Sequence, residues 1–361
     1  MPPTGSPALR SGLSESNVLT RLEPLRYLYI NPFSGCNLRC RHCWVNEGYR
    51  SGTVLDVAQW TDIAEQAAAL GCTSIKFTGG EPLCYTEFAR LYTAVASNVP
   101  HISIETNGTV RPPGLWEAFK SHAPFHLAIS LDSADRLIHD RFRGVEGSWE
   151  RSVAFLKKAL EMGVNTQVIM SVSTVEKDPV KGMIESLEKL GAKNLRINLI
   201  TSTGKGKGIG FMEINNPDDV LDFFQWLDQL PRWISSSIPP AFSSPGRLPY
   251  RGSCPIRNLL GVLPDGTYSI CGAGFFMEEF SWGRYPEISV QEAWERSPVY
   301  QGIRECVPSR IGGVCGSCVH RLTCSGNCVV NNSLAGGSIT SPDTICQAMY
   351  EAGLFPETRL S

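Results

Sequence analysis

Three cysteines near the N-terminus are spaced closely enough to share one metal centre. Cys36, Cys40 and Cys43 form a C-x3-C-x2-C run that ends beside the aromatic residue Trp44. Three thiolates can hold three irons of a [4Fe–4S] cluster, because such clusters are ligated by cysteine sulfur. The fourth iron would then lack a protein ligand and could bind a small chelating molecule. The alternative is a zinc site completed by a distant histidine, since zinc accepts the same thiolate ligands.

Composition limits the classes of protein that remain. The chain has 361 residues, a net charge of −2 and thirteen cysteines. Since the cysteine count is odd and the N-terminus has no apolar signal segment, metal ligation in the cytoplasm is favoured over a disulfide framework. No stretch of about 18 apolar residues predicts a membrane span. The near-neutral charge predicts no nucleic-acid partner.

Short apolar or β-branched segments alternate with helical patterns through the first two thirds of the chain. The helical pattern from Asp56 to Leu70 ends at Gly71, and a second helix is expected from Ser148, as its N-cap, to Met162. Six β-then-α units predict a parallel sheet with helices outside it, fewer than the eight of a closed barrel. A partial barrel and an open doubly wound sheet both remain compatible with this pattern. The predicted strands are 27–30, 74–77, 102–105, 126–131, 167–170 and 195–199.

The predicted organisation has four parts. Residues 1–23 are rich in Ser, Pro and Gly and read as a flexible tail, and residues 24–234 hold the β/α units. Residues 235–252, dense in Ser and Pro, read as a linker to a cysteine-rich domain over 253–361. The glycine- and lysine-containing run 204–208 after the sixth strand is either a mobile basic loop or a loop over the active site.

Polar motifs follow three of the predicted strands, where chemistry collects in a β/α scaffold, and the motif that closes the third strand is residues 105–108. After the second strand, Gly79 and Gly80 allow close backbone approach to a ligand, and Glu81 offers an anion for an ammonium group. Ser130 closes the fourth strand, and Arg143 follows with a guanidinium suited to a bidentate contact with a carboxylate. The alternatives are an ordinary helix N-cap at Ser130 or Asp132 and a surface charge at Arg143.

Eight cysteines lie after residue 250, and seven of them form one pattern. A turn signal at 264–266 predicts a β-hairpin between apolar runs. A zinc ribbon is the generic alternative, because paired C-x2-C knuckles also suit tetrahedral zinc. The eighth cysteine, Cys306, stands outside the pattern. The seven are Cys254, Cys271, Cys315, Cys318, Cys324, Cys328 and Cys346.

From about residue 25 to 350, these motifs closely resemble radical SAM enzymes with a C-terminal SPASM domain. The resemblance implies an α/β fold, namely a partial (β/α)6 barrel followed by a small cysteine-rich SPASM domain with a β-hairpin. It implies S-adenosylmethionine (SAM) on the open iron of the Cys36/Cys40/Cys43 cluster, with its amino group at the GGEP motif and its carboxylate at Ser130 and Arg143. The SAM contacts implied in total are Gly79, Gly80, Glu81, Pro82, Thr106, Asn107, Ser130, Arg143 and Leu199.

The resemblance also implies two auxiliary [4Fe–4S] clusters. Four cysteines would fully ligate one of them, and Cys254, Cys271 and Cys328 would hold the other. Residues 255–260 contain no cysteine, so the second cluster has an open iron or is completed by Cys306 or a non-cysteine group. Cys306 is otherwise an inert thiol or a catalytic hydrogen-atom donor to a substrate radical. The fully ligating set is Cys315, Cys318, Cys324 and Cys346.

The implied chemistry is reductive cleavage of SAM to a 5′-deoxyadenosyl radical, which abstracts hydrogen from a substrate. The expected substrate is a ribosomal peptide or protein that is crosslinked, oxidised or epimerised. A small-molecule dehydrogenase or epimerase is the alternative, and the GGEP motif disfavours a non-catalytic electron carrier. Gly272 stands where sulfatase-maturing enzymes have Asp, which disfavours that activity. An electron donor such as flavodoxin or ferredoxin is an expected partner. Since only 35 residues precede Cys36, a peptide substrate is expected to need a separate carrier protein or direct binding of its leader.

Four further side chains receive modest interpretations. Cys72 and Cys84 are expected to pack in the core, with a position facing the active site as the alternative for Cys84. His42 is expected to be exposed, with contact to the cluster sulfurs as the alternative. Trp44 is expected to pack beside the cluster or the adenine of SAM.

Overall fold

The structure is a computed structural model that describes residues 23–45, 54–211, 216–247, 254–275 and 277–361. Nearly all of the predicted tail and the second part of the predicted linker, residues 248–252, lie outside these described residues. No helix within them is long and apolar enough to cross a membrane.

A ten-stranded sheet organises the described chain. Its order is β10-β9-β8-β1-β2-β3-β4-β5-β6-β7, with β1 to β7 parallel and in chain order. All six predicted strands are present, so the predicted partial barrel is confirmed. The strands are β1 Tyr27–Ile30, β2 Ser74–Phe77, β3 His101–Thr106, β4 His126–Ser130, β5 Thr166–Val172, β6 Leu195–Leu199, β7 Ile234–Ser236, β8 Leu259–Val262, β9 Thr267–Ser269 and β10 Ser281–Arg284.

Helices connect the parallel strands and then build the C-terminal part. In the described residues they are α1 Val57–Ala69, α2 Phe88–Ala96, α3 Leu115–Ser121, α4 Arg136–Arg143, α5 Ser148–Glu161, α6 Asp178–Lys189, α7 Pro217–Gln229, α8 Val290–Arg296, α9 Pro298–Cys306, α10 Gly313–Gly316, α11 Arg321–Cys324, α12 Val329–Gly336 and α13 Thr344–Glu351.

The two helices that sequence predicted begin differently. Asp56 caps α1. Its side chain accepts a hydrogen bond from the Gln59 amide, and its backbone amide donates one to the Gln59 side chain, so that the two residues form a capping box. The prediction that Ser148 caps α5 is wrong. Gly147 occupies the cap with a φ of +72°, and Ser148 is the first helical residue, with its hydroxyl bonded to Asp140. Asp140 therefore accepts hydrogen bonds from the Gly147 and Trp149 amides at the start of this helix, in place of a serine cap.

The two faces of the parallel strands differ in polarity. Ile75, Phe77 and Ile104 are buried against the helices, and each contributes roughly 1.5–3 kcal/mol of transfer free energy. The alternate residues Lys76 and Glu105 point to the other face. Parallel sheets are commonly apolar on both faces. This alternation therefore indicates a polar interior on the concave side of the barrel.

The cysteine-rich part is joined to the barrel through the same sheet. β8 pairs in parallel with β1, and β8 and β9 form the predicted antiparallel hairpin, with Gly266 at a φ of +88° in its turn. β7 extends to Ser236, so the first two residues of the predicted linker lie in the sheet. The proposed division of the chain into domains at 234 and 253 stays a prediction.

Candidate active site

A cavity of about 870 Å³ opens at the carboxyl ends of the parallel strands. It is lined by all three cysteines of the N-terminal triad and by most of the residues predicted to contact SAM. Two predicted contacts do not line it: Pro82 begins a short 3₁₀ turn behind the loop, and Leu199 faces the core. Asn198 lines the cavity instead, because neighbouring residues of a strand face opposite sides. The predicted contacts that line the cavity are Gly79, Gly80, Glu81, Thr106, Asn107, Ser130 and Arg143.

Glycines let neighbouring loops lie directly against the cysteine-bearing loop. A β-carbon on Gly80 would lie 2.6 Å from the Ser34 carbonyl oxygen and closer still to that of Gly35. A β-carbon on Gly204 would lie 2.6 Å from the Cys43 carbonyl oxygen, so the glycine- and lysine-containing loop packs on the triad. The position of the triad thus depends on small residues far away in sequence.

Hydrogen-bond donors surround the sulfurs of the triad. Cys36 Sγ accepts from the Leu38 amide at 3.4 Å and from Asn107 Nδ2 at 3.8 Å, and Cys40 Sγ accepts from Arg143 Nη1 at 3.7 Å. Burial raises the pKa of the Cys36 thiol to about 12, so the thiolate needs a metal to replace its proton. Thiolate ligands with N–H donors fit an iron–sulfur cluster. Within the described residues, no three His, Cys, Asp or Glu side chains are placed to hold a single metal ion.

Glu81 joins the ends of β2 and β3. Its side chain is 1% exposed and accepts from Thr106 Oγ1 at 2.6 Å, the Asn107 amide at 2.7 Å and the Leu83 amide at 3.1 Å. Burial raises the pKa of this carboxyl to about 7 despite these donors. Glu81 therefore holds the Thr106–Asn107 turn in place, and its contact with the SAM amino group stays a prediction.

Arg143 is paired with the carboxylate of Asp132, a residue that the sequence marked only as an alternative helix N-cap. Arg143 Nε lies 2.5 Å from Asp132 Oδ2, and both side chains are buried. Asp132 Oδ1 accepts from the Ser171 amide at 3.0 Å. Burial raises the pKa of Asp132, but the Arg143 guanidinium, His42 and the Ser171 amide together outweigh burial, and the net pKa is lowered. The ion pair fixes the guanidinium at the cavity wall beside Cys40.

A second ion pair in the cavity wall was not predicted from the sequence. Lys76 Nζ lies 2.7 Å from Glu105 Oε1 and 4.6 Å from the centre of the Tyr29 ring, and Thr78 Oγ1 donates to Glu105 Oε2 at 3.0 Å. Glu105 and Thr78 both line the cavity. The only available signal was a charged residue at alternate positions of two parallel strands.

The predicted exposure of His42 is wrong. Its ring is half-buried and stacks on Phe142 with ring centres 4.6 Å apart, and burial lowers its pKa to about 4. Trp44 lines the cavity and packs edge-on against Phe275 at 6.0 Å. The imidazole ring between Cys40 and Cys43 and the indole ring that follows Cys43 are therefore both held by aromatic contacts.

Two further cysteines, Cys72 and Cys84, lie in different environments. Cys72 is 4% exposed and packs in the core as predicted. Cys84 is half-buried, lies outside the apolar core, and its Sγ is 3.7 Å from Asn37 Oδ1, so its predicted core packing is wrong.

The C-terminal cysteines converge at two places. Four of them line one cavity of about 20 Å³ beside His320 and Asp343. Cys254 is near enough to Cys328 and Cys271 that, after burial, these two thiols are the main causes of its raised pKa. Cys306, at the end of α9, is half-buried and lines neither this cavity nor the cavity at the triad. The four cysteines that line the small cavity are Cys315, Cys318, Cys324 and Cys346.

Comparisons with known proteins find one matching family model and several similar proteins. Residues 30–199 match the family model of the radical SAM superfamily. An AdoMet-dependent heme synthase of Methanosarcina barkeri is 22% identical, with 89% of this chain and 95% of that protein covered. The mycofactocin maturase MftC of Mycolicibacterium smegmatis is 23% identical, with 90% and 83% covered. The structure of Streptococcus suis SuiB bound to its precursor peptide SuiA matches with a TM-score of 0.71 at 19% identity, covering 90% of this chain and 76% of that one.

Proposed function

Since the chain is a radical SAM enzyme, we propose that it matures a ribosomally made peptide or protein by crosslinking, oxidising or epimerising a residue. The observation that carries the proposal is the cavity of about 870 Å³ that the cysteine triad lines. Its volume lies near the upper end for small-molecule sites, which suits SAM together with part of a substrate. The similarity to a mycofactocin maturase and to a fold solved with its precursor peptide supports a peptide as that substrate.

Cys36, Cys40 and Cys43 would hold the SAM-binding [4Fe–4S] cluster. When bound, the cluster supplies the electron for reductive cleavage of SAM, from which hydrogen abstraction follows. Arg143 is suited to the SAM carboxylate because a guanidinium has five N–H donors, and its contacts with Asp132 and Cys40 engage only two of them. The ion pair holds the remaining donors in a fixed direction, which orients a bound carboxylate.

Two auxiliary [4Fe–4S] clusters form the second part of the proposal. Their ligand sets are those that the SPASM resemblance implies, and the small cavity shared by four C-terminal cysteines supports the first of them. The mutual proximity of Cys254, Cys271 and Cys328 supports the second. Full ligation of the first set suits electron transfer, and an external electron donor such as flavodoxin or ferredoxin is a proposed partner. A separate carrier protein for the peptide is a further proposed partner.

A small-molecule dehydrogenase or epimerase is the second candidate. The similarity to an AdoMet-dependent heme synthase over 89% of the chain is the observation that favours it. The polar wall formed by Thr78, Glu105 and Asn198 would suit either substrate class.

Anaerobic reconstitution followed by SAM cleavage tests the enzyme assignment. Wild-type protein should bind roughly 12 irons per chain and release 5′-deoxyadenosine with dithionite. A variant with Ala at Cys36, Cys40 and Cys43 should keep roughly eight irons and lose this cleavage. Deoxyadenosine release from the triple variant would show that the triad is not the catalytic centre.

Peptide maturation is tested with short peptides encoded beside the gene. Incubation with SAM and dithionite should change the peptide mass, or introduce solvent deuterium, in wild-type reactions and not in the triad variant. A heme precursor that reacts while every such peptide is unchanged would favour the small-molecule candidate.

A further inference from the structure

The hydroxyl of Tyr300 is buried without a partner. Tyr300 lies on α9, is 0% exposed, and its Oη contacts no hydrogen-bonding group among the described residues. Leaving a buried hydroxyl unsatisfied costs roughly 1–3 kcal/mol, so such groups normally have a partner. Other buried tyrosines of this chain obey the rule: Tyr268 donates to the Ile288 carbonyl oxygen and Tyr92 to that of His122. A missing acceptor is therefore indicated at Tyr300.

The surroundings of Tyr300 exclude most acceptors. Its ring packs at 5.1 Å from the Trp282 ring and 4.7 Å from the Trp294 ring, and the Arg304 guanidinium lies 5.4 Å from its centre. Aromatic rings and a guanidinium offer no conventional acceptor for an O–H group. These neighbours pack against the ring and provide no acceptor for its hydroxyl.

Two of the auxiliary cysteines lie near Tyr300. α9 packs against the 3₁₀ turn Ile256–Asn258, which begins two residues after Cys254. Burial, and then the nearby thiols of Cys271 and Cys254, raise the pKa of Tyr300 well above its usual value. Sulfur is consequently the acceptor chemistry that the fold places near this hydroxyl.

We propose that the Tyr300 hydroxyl donates a hydrogen bond to the sulfurs of the metal centre held by Cys254, Cys271 and Cys328. The inference rests on the proposed auxiliary cluster at these three cysteines. Hydrogen bonds to cluster sulfurs raise the reduction potential, because they stabilise the more negative reduced state. Tyr300 therefore sets how readily this centre accepts an electron. Because it acts as a hydrogen-bond donor and not as a ligand, this role does not require a fourth cysteine in the stretch 255–260.

A Tyr300→Phe variant tests the proposal, with Tyr268→Phe as the matched control. Both substitutions remove one buried hydroxyl in the same part of the fold and preserve the ring. In reconstituted protein, Tyr300→Phe should shift the reduced-to-oxidised ratio of one auxiliary cluster about tenfold, a lowering of 59 mV for a one-electron couple in an EPR-monitored titration. Tyr268→Phe should leave all potentials unchanged.

Thermal unfolding of the chelated protein supplies a second readout. Without metal, Tyr300→Phe removes only an unpaired hydroxyl and should not lower the unfolding midpoint, whereas Tyr268→Phe leaves the Ile288 carbonyl unpaired and should lower it. A potential in Tyr300→Phe equal to wild type would overturn the proposal. Loss of about four irons in that variant would also overturn it, in favour of direct ligation by the phenol. If wild-type protein itself binds no auxiliary irons, the failure lies in the proposed cluster and not in Tyr300.

Discussion

Gly80 offers the sharpest test of how the cysteine loop is held. Its backbone has no positive φ, so alanine is allowed by the chain and excluded only by space. An added β-carbon would lie 2.6 Å from the Ser34 carbonyl oxygen, and ordinary contact begins at 3.4 Å. The loop must therefore retreat by roughly 1 Å, and overpacking of this kind costs about 1–3 kcal/mol. The Glu81 amide bond to the Gly35 carbonyl, 2.9 Å long, would be lengthened as well.

The assay for Gly80→Ala combines unfolding free energy, iron content and SAM binding. We expect a loss of about 1–3 kcal/mol, about four fewer irons per chain and weaker SAM binding, with the auxiliary irons retained. Gly182→Ala is the control, because Gly182 lies inside α6 and, apart from the backbone of its own helix and its chain neighbours, nothing lies within 4 Å of the added carbon. It should gain about 0.5–1 kcal/mol, as glycine weakens helix interiors. If Gly80→Ala unfolds like wild type and keeps its full iron content, the close approach does not hold the loop.

Three more variants address single contacts. Because the pKa of Glu81 is raised from 4.5 to about 7, its contribution to stability is complete below pH 4.5 and is lost as pH rises through 7. Glu81→Gln in chelated protein should remove that loss, at most about 3 kcal/mol, and parallel pH profiles of unfolding free energy would contradict this. Arg143→Met leaves Asp132 buried without its partner and should cost about 3–5 kcal/mol in denaturant unfolding, with partial recovery on adding Asp132→Asn; a double variant as unstable as the single would show that the pair is not the cause. Cys306→Ala should leave iron content and SAM cleavage unchanged, because the thiol lines neither cavity, whereas an altered cluster spectrum would identify a ligand and lost incorporation of solvent hydrogen would identify a donor.

Local pattern was enough to predict the strands and helices of the barrel and to single out the cysteine triad, whereas the partial barrel itself was implied by the family resemblance. The strand at residues 195–199 and the helix at 57–69 are each recognisable from a period of two or 3.6 residues within one short window. The triad is likewise local, since its three cysteines fall within eight residues. Such features depend on neighbours in the chain and need no knowledge of the rest of the fold.

The partners of the site residues depended on the tertiary structure. Lys76 meets Glu105 across two strands, 29 residues apart, and β8 returns to pair with β1 after more than 200 residues. The intervening sequence carries no periodic pattern that predicts the Lys76–Glu105 ion pair or the pairing of β8 with β1. The unpaired hydroxyl of Tyr300 could not be recognised from sequence for the same reason. A hydrogen bond or ion pair needs atoms within about 3–4 Å, and only the closed sheet and its packed helices determine which distant residues reach that distance.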